Sequence, residues 1–117
     1  MSAEIRWMLV VGIQPGQLDN FRSVASDLIA STQSEPGTLA YEWDLIPDET
    51  ACHIYERYAD SAALMAHIVG FGPFAERFLA ACRPVRFDVY GNPSDEARAM
   101  IADFQPTYFS HVGGFSR

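Results

Sequence analysis

Hydrophobic positions along this chain change their period several times, and each change marks an element. Trp7-Met8-Leu9-Val10-Val11-Gly12-Ile13, within residues 4–14, is an apolar run without alternation, the pattern of a central strand covered on both faces. Pro15-Gly16 ends it. Leu18, Phe21, Ala25, Leu28 and Ile29 then recur at helical spacing above a polar remainder of Asp19, Arg22, Ser26 and Asp27, which predicts a helix laid on one sheet face. From Pro36-Gly37 the period returns to two. Residues up to Leu45 alternate, Pro47-Asp48-Glu49 supplies turn residues, and Ala51 to Tyr58 is rich in β-branched and aromatic types, so a hairpin is predicted. Asp60-Ser61 offers a cap for a helix from about Ser61 to Val69, and Gly70-Phe71-Gly72-Pro73 interrupts it. A second short helix is predicted from Phe74 to Cys82, with Phe74, Phe78, Leu79 and Cys82 on one stripe.

Arg83 to Tyr90 alternates again, Val85, Phe87 and Val89 against Arg86, Asp88 and Tyr90, and Gly91-Asn92-Pro93 closes it. Strand, helix, strand, strand, broken helix, strand is the order of the ferredoxin-like split βαβ pattern, α+β in class, with the first and third strands expected parallel at the centre. Residues 1–92 would form this domain. Residues 93–117 would pack on it as a helix capped by Ser94-Asp95-Glu96, with Ala97, Met100, Ile101 and Phe104 inward, followed by a strand-like tail. Tyr108, Phe109, Val112 and Phe115 make that tail too apolar to be left in water.

A length of 117 residues with 49% hydrophobic composition suits one globular domain. The start lacks a basic segment followed by an apolar one, and no apolar run is long enough to span a bilayer, so a soluble cytoplasmic protein without a membrane partner is expected. Formal charge is -7, which argues against nucleic acid as a partner. All eight basic residues are arginine, which removes a lysine Schiff base and the lysine of a P-loop. Cys52 and Cys82 lack metal or redox spacing and read as small buried residues.

His67 shares a helix side with Leu64 and Phe71 and therefore points inward, either as a core imidazole bonded to a carbonyl or tyrosine, or as a functional group. Glu56 and Tyr58 share one strand face; His53, Tyr55 and Arg57 share the other. Leu39, Tyr41 and Trp43 line one face of the second strand, as core or as the wall of a pocket for a flat organic ligand. Cys52 and His53 project oppositely, and no metal set, phosphate loop or hydrolase triad is visible.

Pro36-Gly37, Tyr41, Tyr55-Glu56-Arg57-Tyr58 and His67, in that order and spacing, resemble the antibiotic biosynthesis monooxygenase family. The likeness runs more loosely from about residue 4 to about residue 91, and the tail lies outside it. It implies a dimeric α+β barrel with helices on one sheet face, Glu56 and Tyr58 inward, and His53 and Arg57 toward a partner subunit. It further implies a cofactor-independent monooxygenase acting on a small electron-rich phenol or quinol. His67 would be the base, Tyr58 and Tyr41 would bond substrate oxygens, and Trp43, Phe71, Phe74 and Phe78 would shape the walls. A non-catalytic dimeric binding or scaffold protein of the same fold is the main rival. Haem binding or degradation ranks last, because Tyr58 stands where those relatives carry tryptophan and residues 4–14 contain no asparagine.

Overall fold

A nine-residue strand whose burial alternates from Ile5 to Val11 builds the centre of the molecule. In the computed structural model, which describes residues 3–117, β1 (Ile5–Ile13) buries Ile5, Trp7, Leu9 and Val11 against the helices. Met8 and Val10 on its other face stay partly exposed, so the uniformly apolar run is covered fully on one side only. After it come α1 (Leu18–Thr32), β2 (Thr38–Leu45), β3 (Ala51–Tyr58) and α2 (Ser61–Phe71). The chain continues with α3 (Ala75–Ala81), β4 (Cys82–Tyr90), α4 (Asp95–Ile101) and β5 (Thr107–Phe109). They form a five-stranded mixed sheet in the order β2-β3-β1-β4-β5 with helices on one face, an α+β ferredoxin-like fold.

β1 and β3 are neighbours but antiparallel, contrary to the parallel pairing expected. The crossover through α1 makes β2 parallel to β1, and the tight hairpin then reverses β3 into the gap between them. Two further departures come from bulges. The β2 register skips Leu39, which is turned out to 43% exposure, so the wall on this strand is Tyr41 and Trp43. Opposite the irregularity at Val10 and Val11 the β4 register skips Val85, 61% exposed, while Phe87 and Val89 stay buried.

α2 does not stop at Val69. It runs to Phe71 and passes through a 3-10 turn, Gly72–Phe74, where Pro73 takes an early helical position that needs no N–H donor. Cys82 opens β4 instead of ending α3, and Leu79 faces solvent, leaving Phe78 and Ala81 as the buried residues of α3. Asp60 caps α2 by accepting the Ala63 N–H at 2.8 Å, and Ser94 caps α4 by accepting the Ala97 N–H at 3.1 Å. Ser61 Oγ accepts the Ser94 N–H at 2.9 Å, tying the start of α4 to the start of α2.

The tail divides in two. β5 pairs parallel with β4, Phe109 stacks on Tyr90 at 5.0 Å, and Arg98 lies 4.1 Å over the Tyr108 ring. Val112 and Phe115, expected to find apolar cover, are exposed in the single chain, as is Met100 of α4.

Candidate active site

The polar centre of the core is assembled from three elements. Helix α2 carries His67 inward one turn beyond Leu64, and β3 presents Glu56 and Tyr58 on the same buried face. The loop between α1 and β2 brings in Glu35, 32 residues away in sequence, which the period of neither flanking element reveals. His67 Nδ1 lies 2.9 Å from Glu35 Oε1, and Nε2 lies 3.2 Å from Glu56 Oε1. Tyr58 donates its hydroxyl to that same Glu56 oxygen, and Thr38 donates to Glu35 Oε1 at 2.9 Å. His67, Glu56 and Tyr58 are 3%, 4% and 0% exposed, so water does little to screen these charges.

Both ring nitrogens of His67 therefore face carboxylate oxygens. Two hydrogen bonds from one imidazole require two ring protons, or one ring proton and one protonated carboxyl. Burial disfavours the imidazolium, but the hydrogen bonds and charges of Glu56 and Glu35 outweigh it and raise the His67 pKa above the ordinary 6.5. That reverses the downward shift apolar surroundings alone would give. Tyr58 is pushed well above the usual phenol value by burial and by the Glu56 charge, and Tyr41 is raised by burial and then by Glu56, so both keep their protons. Burial also lifts the Cys52 thiol to about 11 and that of Cys82 to about 12, which leaves neither as a thiolate nucleophile.

Two glycines make the cluster possible. A Cβ on Gly37 would stand 2.5 Å from Ala63 Cβ, so glycine lets the loop carrying Glu35 close against α2. A Cβ on Gly70 would stand 2.9 Å from Glu35 Oε2, which explains a helix-weakening residue near the end of α2. Glu35 itself was absent from the residues singled out by sequence. Gly37 and Gly70 were visible there as turn and breaker, and their packing role around a carboxylate emerges only in three dimensions.

Glu56 and His67 open onto a cavity of about 40 Å³ between the sheet and the helices. Tyr41, Trp43, Phe71 and Phe78 line it, while Phe74 packs against the core outside it and Tyr58 reaches it only through Glu56. Sequence reading missed Trp7 on β1, Phe87 on β4, and Ile101 and Phe104 after them. Ile101 had been placed inward, but nothing in a helical period says which inward residues meet a void. His53 and Arg57 lie on the opposite sheet face, away from this cluster. Among the described residues no group of three or more His, Cys, Asp or Glu could hold a metal ion, and no helix is long and apolar enough to cross a membrane.

A ferredoxin-like sheet with a carboxylate, imidazole and carboxylate set between it and its helices defines a small α+β protein with an acid–base cluster. Residues 5–68 match the family model described as antibiotic biosynthesis monooxygenase, and the chain belongs to that family. Among solved structures it is similar to MupZ from Pseudomonas fluorescens, 26% identical over 99% of this chain and 96% of that one, with a TM-score of 0.88. A putative antibiotic biosynthesis monooxygenase from Caulobacter crescentus is 23% identical over 80% and 92%, with a TM-score of 0.70. SnoaB from Streptomyces nogalater, a cofactor-independent oxygenase, is 17% identical over 80% and 96%, with a TM-score of 0.68. The last two share the fold. Comparison with curated proteins gives no match.

Proposed function

We propose that this chain is a cofactor-independent monooxygenase in which the cluster deprotonates a small electron-rich phenol or quinol held in the cavity. The supporting observation is the shared Glu56 oxygen, which accepts from Tyr58 and faces His67 Nε2, on a residue that lines an otherwise apolar space. With both nitrogens of His67 engaged, the base at the cavity wall is Glu56 and not the imidazole. The His67 imidazolium supplies the charge that steadies the resulting substrate anion, and Glu35 positions it. Tyr58 remains protonated and holds the Glu56 carboxylate in place. The substrate anion then passes electrons to dioxygen; one oxygen atom is added at a ring carbon and the other leaves as water, whose two hydrogens come from the substrate C–H and O–H, so that the product is the quinone.

The cavity is smaller than the roughly 150 Å³ of an apolar cavity able to bind benzene, so a ring is admitted only when side chains such as Phe71 and Phe104 swing outward. Residues of the α4 segment are well placed to do so, because Phe104 is only partly buried and precedes Gln105, whose backbone is left-handed at φ 54°.

A second reading is favoured by the paired donor and acceptor in one dry site. An imidazolium beside a carboxylate can also move protons without any oxidation, as in an isomerisation or an addition. Oxygen uptake and product mass, measured on a panel of phenols and quinols in air and under argon, separate the readings. Oxygen-dependent turnover that is lost in Glu56→Gln supports the first, and turnover that persists under argon supports the second. Binding without turnover of any compound refutes both in favour of a binding protein.

A further inference from the structure

Two apolar spaces meet at Trp43. One is the cavity beside the acid–base cluster, and the other is a surface groove of about 340 Å³ between α1 and the hairpin. Phe21, Ala25, Ser26 and Ile29, which share one face of α1, form one side of the groove, and Trp43 and Leu45 of β2 form the other. The Trp43 ring stands between Phe21, which lines only the groove, with ring centres 5.7 Å apart, and Phe78, which lines only the cavity, at 6.0 Å. Among the described residues no hydrogen bond fixes the indole. Its Nε1 is buried near the Tyr41 hydroxyl but short of hydrogen-bond geometry. Trp43 is also only half-buried, on an edge strand. A ring held by packing alone can tilt within ordinary side-chain motion, so the partition between groove and cavity is one unpinned side chain.

The two ends of the cavity differ. Phe104 meets Phe87 of β4 at 6.0 Å, whereas Trp43 belongs to β2, and β3 and β1 lie between those strands. A ring admitted by movement of Phe71 and Phe104 therefore comes in at the β4 end. Once seated, it fills that end, and the reactant still to arrive is dioxygen.

We infer that the groove between α1 and the hairpin, gated by Trp43, is a separate entrance for dioxygen at the end of the cavity opposite to the one used by the organic substrate. This rests on reading the cavity as the site of an oxygen-dependent reaction. Dioxygen is apolar and diatomic, so it enters apolar space with no hydrogen bonds to replace, and a small tilt of Trp43 passes it where a ring is stopped. Arg22 lines the groove and donates to Glu49 in the turn between β2 and β3, which ties α1 to the hairpin and limits how far the groove can widen.

Trp7 lines the cavity and is the only tryptophan left in Trp43→Phe, so quenching of its phosphorescence by dissolved dioxygen reports arrival there. Adding Ala25→Phe or Ser26→Phe, which fill the groove from α1, should lower the quenching rate constant severalfold. Ala30→Phe, at an exposed position of the same helix outside the groove, should leave it unchanged. Ser26 is exposed, so its variant keeps the test open if Ala25→Phe fails to fold. In the protein that retains Trp43, the same groove variants should raise KM for dioxygen severalfold and leave KM for the phenol or quinol unchanged. Quenching equally fast in groove and control variants overturns the inference. So does a raised KM for the organic substrate with KM for dioxygen unchanged, because the groove would then be the door for the ring. Groove-dependent quenching in a protein that oxidises no compound supports the entrance and counts against the oxygenase reading alone.

Discussion

Replacing Glu35 by glutamine removes one charge from the cluster while keeping an oxygen 2.9 Å from His67 Nδ1. A hydrogen bond to a charged group contributes about 1.5–3 kcal/mol, and each pKa unit corresponds to about 1.36 kcal/mol. The His67 pKa should therefore fall by about one to two units in Glu35→Gln. Glu56 is the more buried carboxylate and the larger upward influence on His67, so Glu56→Gln should produce a fall at least as large. The chain has three histidines, His53, His67 and His111, so ring-proton resonances can be followed against pH and assigned by replacing His53 and His111 in turn. Stability supplies an independent check. Because the shift is upward, its contribution is fully present below the unfolded value near 6.5 and is lost as pH rises through the folded value. The gap in stability between unmodified protein and Glu35→Gln should be widest in acid and narrow above the folded pKa. A midpoint that is unchanged or higher in both variants would refute the reasoning that the two carboxylates hold the imidazolium.

Activity should follow the same ionisation: turnover should decline as pH rises through the raised His67 pKa, whereas a neutral imidazole acting as base would give a rate that increases there; a pH–rate profile distinguishes them. His67→Ala should reduce turnover by roughly 10²–10³-fold per folded protein, the usual cost of losing a group that stabilises developing charge, and unchanged turnover would make it a packing residue. Gly70→Ala should leave the melting temperature within a few degrees, since helix propensity improves by up to about 1 kcal/mol, yet lower the His67 pKa by pushing Glu35 aside. An unaltered titration would show that the carboxylate moves without consequence. Sedimentation should give a dimer formed through the sheet face that the helices leave uncovered, where Met8 and Val10 lie half-exposed, and a 13 kDa species at micromolar concentration would contradict it. Removing residues 110–117 should change the melting temperature little in the single chain, whereas ending at Phe104 deletes β5 and should lower it by about 4 °C or more.

What the sequence disclosed was what local chemistry controls. Asp60 and Ser94 announced their helices because capping uses a side chain and the N–H three residues on. The hairpin followed from turn residues, the sharing of one β3 face by Glu56 and Tyr58 from a period of two, and His67 from a period of 3.6, whereas it was the family resemblance that turned that β3 face inward. Bulges broke that arithmetic at Leu39 and Val85, where one extra residue shifts side chains between faces without any mark in the pattern. Glu35 was invisible for a different reason. It sits in a loop, outside every period, and its role depends on a contact spanning 32 residues that only the closed fold creates. The carboxylates also decide the direction of the His67 shift, which burial alone would turn downward.

The wall of the cavity draws on separate parts of the chain. Glu56, His67, Tyr41 and Trp43 fall within the stretch that the family model covers, whereas Ile101 and Phe104 come from the segment after Tyr90, joined to the rest by the Ser61 bond and by β5. Part of the fit is thus written on a piece of the chain separate from the chemistry. Exchanging residues 93–109 between relatives is a modular operation that could re-tailor which molecules are admitted while the proton-handling residues remain untouched, a division of labour through which one scaffold can diversify without reinventing its reactive centre.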